Sequence, residues 1–281
     1  MMEEISKKKD SPASCRIHVG TSGYAYAEWV DAGFYPAGTK SNQMLPLYAK
    51  QFSITELNYT WYRMPEPETI ERQRQQAGSG FLFTAKLIRT LTHEIDPEKW
   101  QKEALRYREG MAPLLQSKQL SAVLIQLPPS FARTQVNRTH LSLLLDSLDG
   151  LPLAVEFRHR SWAVDRVFDE LERRQVCLVS VDEPDLPGLF PALDVVTCPD
   201  LFYVRFHGRN DRGWRSGNMQ KQFDYCYSDD QLREWIEKRI IPMSSRAGKG
   251  VIFFNNHVRA QAAGNSLQLC RLLSKEGLES G

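Results

Sequence analysis

Eight short apolar runs, each ending in polar or charged residues, constrain the fold of this chain more than any other feature of its sequence. A parallel β-strand that is buried on both faces is apolar along its length. Because a helix-like segment follows nearly every run, the pattern predicts an α/β fold, a (β/α)8 TIM barrel with its site at the C-terminal ends of the strands. The runs are 16–20 (which leads into Thr21 and Ser22), 54–58, 81–86, 122–126, 153–158, 176–182, 202–207 and 251–256.

The alternative fold is an open, doubly wound sheet of the dinucleotide-binding type. That fold carries a GxGxxG fingerprint after its first strand. Gly20, Gly23 and Gly33 do not have this spacing, so the eight strand–helix units favour the closed barrel. Two connections, 183–201 and 208–227, are long for a compact domain, and loops of that length are usually functional or mobile.

Helix-start signals support the alternation of strands and helices. Asp96 and Pro97 predict the start of a long helix that ends near Gln116, because aspartate is a good N-cap and proline fits the first helical position. Ser228 and Gln231 match a capping box, which predicts a helix before the last strand.

Composition and charge limit the class of protein. The 281 residues carry a net charge of +2, which gives no strong signal for nucleic acid or membranes. Five scattered cysteines without a CxxC pair favour free thiols. Residues 1–14 lack the apolar segment of a secretory signal, and no run is long enough to span a membrane. We therefore predict a cytoplasmic protein with a disordered tail at 1–14 and one barrel domain at 15–276.

Side-chain alternation along each strand sorts the polar residues onto the inner face of the barrel. Tyr203, Arg205 and His207 share one face of their run, and Glu56 shares a face with Asn58. The same rule pairs Thr84 with Lys86, Glu156 with Arg158 and Ser180 with Asp182, and Gln126 and Asn255 are expected to join them.

The predicted cluster at the barrel mouth mixes acids with fixed cations. Buried charges on this scale must pair, or they destabilise the fold strongly. One interpretation is a structural ion-pair network that closes the mouth. The other is a functional site, because barrel enzymes work at this rim. Converging cations suit a phosphate or carboxylate ligand, and the interleaved carboxylates suit acid–base chemistry.

The functional interpretation assigns two sets of residues. The candidate catalytic groups are Glu56, Glu156, Asp182, His93 and His207. The candidate ligand-binding residues are Ser22, Tyr24, Trp29, Asn58, Tyr62, Lys86, Gln126, Arg158, Arg205, Arg209 and Asn255.

Metal and covalent-triad chemistry are less favoured. His207, Glu156, Asp182 and His257 are acceptable metal ligands, but none forms a compact motif such as HExxH, and the nearby cations oppose a divalent ion. No serine lies in a GxSxG elbow, and no phosphate-binding loop occurs. We therefore predict neither a metal nor a cofactor.

The connection 208–227 interleaves cations with aromatic residues. Arg209, Arg212, Arg215, Trp214 and Phe223 belong to it. Such a mixture can contact a nucleic-acid backbone and stack on bases. The alternative is a solvated loop.

Ordered motifs occur at nearly every predicted strand end. They are VGTSGY at 19–24 with Trp29 and FYP at 34–36, ELN at 56–58 with Tyr62, FTAK at 83–86 with Thr92 and His93, QLPPSF at 126–131, EFRH at 156–159 with Ser161 and Trp162, VRFHGR at 204–209, and FFNN at 253–256 with Asn265. With these motifs the chain resembles domain of unknown function 72, the YecE-like proteins, from about residue 17 to about residue 273.

The resemblance implies the barrel and the strand-end positions but no reaction. It adds Trp162 and Asn256 to the candidate ligand-binding residues. The family is distantly similar to barrels of the endonuclease IV and sugar-isomerase type, which is fold analogy alone. The chain departs from the family pattern at His257, where an aspartate is expected, and at Ser266, where an alanine is expected.

Three functional hypotheses follow. The first is a barrel that binds a small anionic, phosphate-bearing ligand at the rim and acts on it as a metal-independent hydrolase or lyase. The second is a nucleic-acid-binding or repair protein that uses the same mouth and the 208–227 connection. The third is a non-catalytic scaffold that binds a partner.

Overall fold

Eight parallel strands curve into a nearly closed barrel in the computed structural model, which describes residues 15–280. The sheet order is β1-β8-β7-β6-β5-β4-β3-β2. The strands are β1 (Arg16–Thr21), β2 (Ile54–Leu57), β3 (Leu82–Lys86), β4 (Leu120–Gln126), β5 (Leu153–Glu156), β6 (Cys177–Asp182), β7 (Phe202–Phe206) and β8 (Lys249–Phe254). The predicted TIM barrel is confirmed, and the tail predicted at 1–14 lies outside the described residues.

The barrel closes between β1 and β2 through a short contact at their C-terminal ends. Ser22 and Glu56 form a single parallel bridge, and the amide of Gly23 donates to the carbonyl of Glu56 at 2.9 Å. A Cβ atom at Gly20 would lie 2.3 Å from the carbonyl oxygen of Ile54. The two strands therefore approach each other closely at a residue that has no side chain.

Helices cover the outer face of the sheet. Within residues 15–280 they are α1 (Glu28–Asp31), α2 (Ser41–Tyr48), α3 (Pro67–Ala77), α4 (Trp100–Gln116), α5 (Gln135–Ser147), α6 (Asp165–Arg173), α7 (Asp211–Trp214), α8 (Met219–Gln222), α9 (Asp229–Trp235), α10 (Ile241–Ser244) and α11 (Gln261–Lys275). A π-helical segment, Ile236–Ile240, joins α9 to α10, and short 3₁₀ turns follow four of the strands: Tyr59–Trp61, Arg89–Leu91, Arg160–Trp162 and Val258–Ala260. Residues 183–201, between β6 and β7, contain no helix.

The two helix-start signals have different outcomes. The capping box is confirmed, because the Ser228 hydroxyl accepts from the Gln231 amide and the Gln231 side chain accepts from the Ser228 amide. The long helix predicted from Asp96 begins at Trp100 instead. The Asp96 side chain accepts from the amide of Glu98 at 2.9 Å, so it caps a turn that precedes the helix.

The inner and outer faces of the strands differ as the alternation predicts. Phe206 packs outward against the rings of Tyr227, Trp235 and Phe254, whereas its neighbour Arg205 turns into the barrel.

The domain boundary at 276 stays a prediction; beyond it, the carbonyl of residue 279 accepts from the amide of residue 17 at 3.1 Å. No helix within residues 15–280 is both long and apolar enough to cross a bilayer.

Candidate functional site

Arg205 lies at the centre of the barrel mouth and binds two carboxylates at once. Its Nη2 donates to Glu56 Oε1 at 2.6 Å, and its Nη1 donates to Glu156 Oε2 at 2.6 Å. The second oxygen of Glu56 accepts from the Tyr203 hydroxyl at 2.5 Å. All four side chains are buried, so β2, β5 and β7 are tied together by a fully desolvated ion triad.

Glu156 also holds a second arginine. Arg158 Nε donates to Glu156 Oε1 at 2.5 Å, and Arg158 Nη1 donates to Glu183 Oε2 at 2.6 Å. Burial acts to raise the pKa of Glu156, but the charges of Arg158 and Arg205 outweigh it and hold the pKa well below its usual range. Glu156 is therefore ionised at neutral pH and serves as the anionic partner of both guanidinium groups.

His207 follows β7 and is buried in its neutral form. Burial, followed by the charge of Arg158, lowers the pKa of His207 to about 3. Arg158 Nη2 lies 2.9 Å from His207 Nε2. The same Nε2 lies 3.2 Å from Glu156 Oε1. Asn255 Nδ2 lies 3.2 Å from His207 Nδ1.

Asp182, at the end of β6, is surrounded by donors. Arg209 binds it through Nε at 2.9 Å and Nη2 at 2.6 Å. The Tyr227 hydroxyl donates at 2.7 Å, and the Trp235 indole N–H also donates to the carboxylate. Both oxygens are thus occupied, and the carboxylate fixes Arg209 against the barrel.

Lys86, the last residue of β3, differs from the other cations at the mouth. Its Nζ forms no ion pair or hydrogen bond with any residue between 15 and 280, and it lies 4.9 Å from the centre of the Trp61 ring. Burial, followed by the charge of Arg205, lowers the pKa of Lys86 to about 7. The ring of His93 packs edge-on against the same indole, with centroids 5.1 Å apart.

Two residues of the mouth, Trp61 and Glu183, are absent from the candidate set given by the sequence. Trp61 has a buried indole N–H without a partner among residues 15–280. Glu183 is 3 % exposed in its side chain, its Oε1 has no partner among the same residues, and burial raises its pKa to about 7. The alternation rule favours Asp182 and passes over Glu183 because the chain leaves the strand between them.

The predicted amides and hydroxyl occupy different positions. Ser22 Oγ accepts from Arg205 Nη2 at 3.3 Å, so it belongs to the central network. Asn58 Oδ1 is buried without a partner in the described chain. Gln126 donates to a neighbouring backbone carbonyl at 3.1 Å. Asn256 is fully buried and donates to the backbone of the 208–227 connection at 2.7 Å, so its amide holds that connection in place.

Two predicted ligand-binding indoles lie in the core. Trp29 is fully buried and donates to the carbonyl of His257 at 2.8 Å. Trp162 is buried, stacks on Phe157 and donates to the carbonyl of Phe131 at 2.7 Å. Since these rings are enclosed by protein, we assign both residues a packing role.

Two predicted tyrosines lie at the edge of the site. Tyr24 accepts from the Gln73 side chain at 3.0 Å, which directs its hydroxyl toward α3 and away from the central network. Tyr62 is 61 % exposed and packs edge-on against Trp61 at 4.7 Å between centroids. Of the two, only Tyr62 borders the Lys86 side of the mouth.

The 208–227 connection folds over the mouth. The Trp214 ring covers the guanidinium of Arg158 at 5.6 Å, and the Phe223 ring lies 6.3 Å from that of His207. The cations Arg212 and Arg215 are exposed. Two aromatic side chains of the connection therefore face the barrel, and the nucleic-acid hypothesis stays a prediction.

A cleft of about 290 Å³ opens beside the mouth, between the β6–β7 connection and α9. Glu183, Arg209, Glu234 and Arg239 are among its lining residues. Glu183 therefore borders this cleft, although its carboxylate is buried against Arg158. Within residues 15–280, no three His, Cys, Asp or Glu side chains are arranged to hold a metal ion.

The neutral state of His207 predicts how stability depends on pH. An unfolded histidine titrates near pH 6.5, and the folded value is about 3. Between these values the unfolded chain binds more protons, so His207 lowers stability as the pH falls through this window. From pH 6.5 to pH 4.5 this loss is up to about 2–3 kcal/mol. Urea unfolding of the wild type and His207→Gln at both pH values should show a smaller acid loss in the variant; equal losses would contradict the assignment.

Comparisons with known proteins agree on one family. The profile described as "Protein of unknown function DUF72" matches residues 18–280. The UPF0759 protein YunF of Bacillus subtilis is 27 % identical over 274 residues, which cover 92 % of this chain and 95 % of YunF. The UPF0759 protein YecE of Escherichia coli K12 is 28 % identical over 144 residues, covering 51 % of this chain and 48 % of YecE.

Solved structures give the same result for the fold. A DUF72 family protein from Thermotoga maritima has a TM-score of 0.83 and 34 % identity, covering 92 % of this chain and 99 % of its own. Another from Enterococcus faecalis has a TM-score of 0.82 and 27 % identity, covering 92 % of this chain and 95 % of its own.

Proposed function

The chain belongs to the DUF72 family, whose name gives no activity. We propose, from the geometry of the barrel mouth, that the protein binds a small anionic ligand beside Lys86. It acts on this ligand by acid–base chemistry without a metal. The ligand class is a phosphate or carboxylate.

The observation that carries the proposal is a pair of adjacent donors without acceptors. Lys86 is half-buried and its ammonium has no acceptor within residues 15–280, and the indole N–H of the adjoining Trp61 is buried and has no acceptor there either. Buried donors are almost always satisfied, by protein, water or a ligand. An anionic oxygen at the Lys86 ammonium would pair its charge and offset the positive charges nearby.

The arginines of the mouth have a different role in this proposal. Arg158, Arg205 and Arg209 each bind a carboxylate at 2.6 Å or less, so their charges are largely compensated. They position the mouth, and Lys86 supplies the uncompensated charge. The same arginines occupy the carboxylates that a divalent metal would need, which favours chemistry carried by protein side chains.

Two groups are suited to proton transfer. His93 binds Thr92 through Nδ1 at 2.8 Å, and its Nε2 forms no hydrogen bond within residues 15–280. Burial, followed by the charge of Lys86, lowers the pKa of His93 to about 4, so it is a neutral acceptor at pH 7. Glu183, with its pKa raised to about 7 by burial, is protonated in a large fraction of molecules and can donate.

Removal of the Lys86 charge tests the proposal. We expect the wild type to bind inorganic phosphate or a small phosphorylated carboxylic acid such as 3-phosphoglycerate, and Lys86→Met to weaken that binding at least tenfold. Isothermal titration calorimetry at low salt measures both. Stability should stay within about 1 kcal/mol of the wild type, because the change removes a half-buried charge that forms no ion pair within residues 15–280.

Lys249→Met is the matched control. Lys249 is a half-buried lysine at the opposite end of the barrel, where its Nζ lies 3.4 Å from Ser121 Oγ. This variant should bind as the wild type does. Equal binding by wild type and Lys86→Met, or no binding of either anion by the wild type, would overturn the proposal.

A further inference from the structure

We infer that Lys86 is a nucleophile that forms an imine with an aldehyde or ketone carrying an anionic group, at the ligand site formed with Trp61. This inference rests on the proposed function and names its substrate class, an oxo acid or a phosphorylated carbonyl compound. It assigns the amine a covalent role in addition to its charge.

The first support is the position of the amine. The carbonyl of Lys86 accepts from Thr60 Oγ1 at 2.6 Å and from the Tyr107 hydroxyl at 3.2 Å, so the backbone at the strand end is held from two elements. The stem of the side chain then carries Nζ over the Trp61 ring at 4.9 Å. A nucleophile held on a rigid strand next to a binding subsite is already positioned for attack on a bound carbonyl.

The second support is the distribution of charge around the amine. The groups that act on it are Arg205 from β7, Arg158 after β5, Glu156 from β5, Glu56 from β2 and His93 after β3. The two glutamates are bound by the arginines, and His93 is neutral. The amine therefore has cations near it and no anion free to hold its proton.

The consequence is a reactive fraction of neutral amine. Because burial and Arg205 lower the pKa of Lys86 to about 7, roughly half of the side chain is neutral at pH 7. An ordinary lysine, with a pKa of about 10.4, is neutral in roughly one molecule in a few thousand at that pH. Desolvation and a neighbouring cation are the known means by which proteins activate lysine for imine formation.

The covalent step needs no other reagent. The nitrogen lone pair adds to the carbonyl carbon, the C=O π bond breaks, and the oxygen takes a proton from water. The nitrogen loses its extra proton to His93 Nε2 or to water, which gives a neutral carbinolamine. The hydroxyl then takes a proton from the same protonated His93 or from hydronium and leaves as water, while the nitrogen lone pair forms the C=N bond of a protonated imine. No electron is gained or lost overall.

Borohydride trapping tests the inference, because it reduces an imine to a stable secondary amine. The probes are pyruvate, dihydroxyacetone phosphate and formaldehyde, the last of which needs no anion subsite. Peptide mass spectrometry should locate a pyruvate or dihydroxyacetone phosphate adduct on Lys86 in the wild type and in Lys249→Met. Formaldehyde at pH 7 should modify Lys86 at least tenfold faster than the exposed Lys102.

Lys86→Arg separates this inference from the proposed function. It keeps the positive charge and removes the nucleophilic amine, so it should still bind inorganic phosphate but give no adduct at position 86. The imine inference is overturned if neither anionic probe gives an adduct and Lys86 reacts with formaldehyde no faster than Lys102. If phosphate binding still depends on Lys86 in that case, the proposed function stands. Adducts spread equally over the surface lysines also overturn it.

Discussion

Replacing Arg205 with methionine should lower the free energy of unfolding by about 3–5 kcal/mol, the usual cost of removing one partner from a buried ion pair. The variant leaves Glu56 and Glu156 buried, with one carboxylate facing only a tyrosine hydroxyl. Desolvation of an uncompensated charge is the physical cause, because the carboxylate has lost water without gaining a cation. Urea unfolding at pH 7, followed by tryptophan fluorescence, measures the difference.

Two further variants make this prediction specific to the buried charge. Arg205→Met combined with Glu56→Gln removes the stranded charge and should be more stable than Arg205→Met alone. Arg173→Met breaks an exposed pair with Glu170 and should cost less than about 1 kcal/mol. If Arg205→Met costs no more than Arg173→Met, the ion triad does not stabilise the barrel.

Gly20→Ala should be the second strongly destabilising change, at about 3 kcal/mol or more, the upper part of the range for an overpacked core. The new methyl group would lie 2.3 Å from the Ile54 carbonyl oxygen and 3.1 Å from the Tyr48 hydroxyl. The first contact is with backbone, so β1 and β2 must move apart where the barrel closes. Thermal and urea unfolding measure the loss.

Gly264→Ala is the control for Gly20→Ala. Gly264 lies inside α11, is exposed, and has nothing within 4 Å of an added Cβ atom. Alanine there should raise stability by about 1 kcal/mol, because it is the better helix former. Similar effects of the two variants would show that the close approach of β1 and β2 is not what Gly20 permits.

The positions that depart from the family pattern serve packing in this chain. Ser266 is buried and donates to the carbonyls of Gly20 and Ala262, so its hydroxyl satisfies a backbone acceptor next to the closure of the barrel. The ring of His257 stacks on that of Tyr26 at 4.8 Å between centroids. Its Nδ1 lies 3.4 Å from Glu28 Oε1, which places it outside the Arg205 network.

Of the two sequence-based interpretations of the mouth, the structural ion-pair network describes its arginines and acids, and the functional site stays a prediction. The arginines and acids form the structural network that buried charges require. The Lys86 ammonium and the Trp61 indole N–H have no partner in that network within residues 15–280. The proposed function depends on these two residues. A sequence pattern cannot separate these roles, since both need the same residue types at the same strand ends.

The sequence by itself determined the barrel and the inner-facing polar residues at the ends of its strands. Strand alternation is local, so a period of two along each run is enough to place Glu56, Glu156, Arg205 and His207 on one inner surface. The capping box of Ser228 and Gln231 was also predicted correctly, because its two partners are only three residues apart in the sequence. The predicted start of α4 was wrong, because Asp96 caps a turn before the helix, and two adjacent residues do not distinguish a turn from a helix.

Only the tertiary structure decided which charges pair and which remain free. Pairing depends on distances between strands that are far apart in the chain, such as the 2.6 Å between Arg205 and Glu56. Burial likewise separated Trp29 and Trp162, which lie in the core, from Trp61, which borders the site. Glu183 was missed because it follows the strand, where the period of two no longer applies. Alternation along a strand determines whether a side chain points into or out of the barrel. The ion-pair partner of a charged side chain and its exposure to solvent depend on residues that are distant in the sequence.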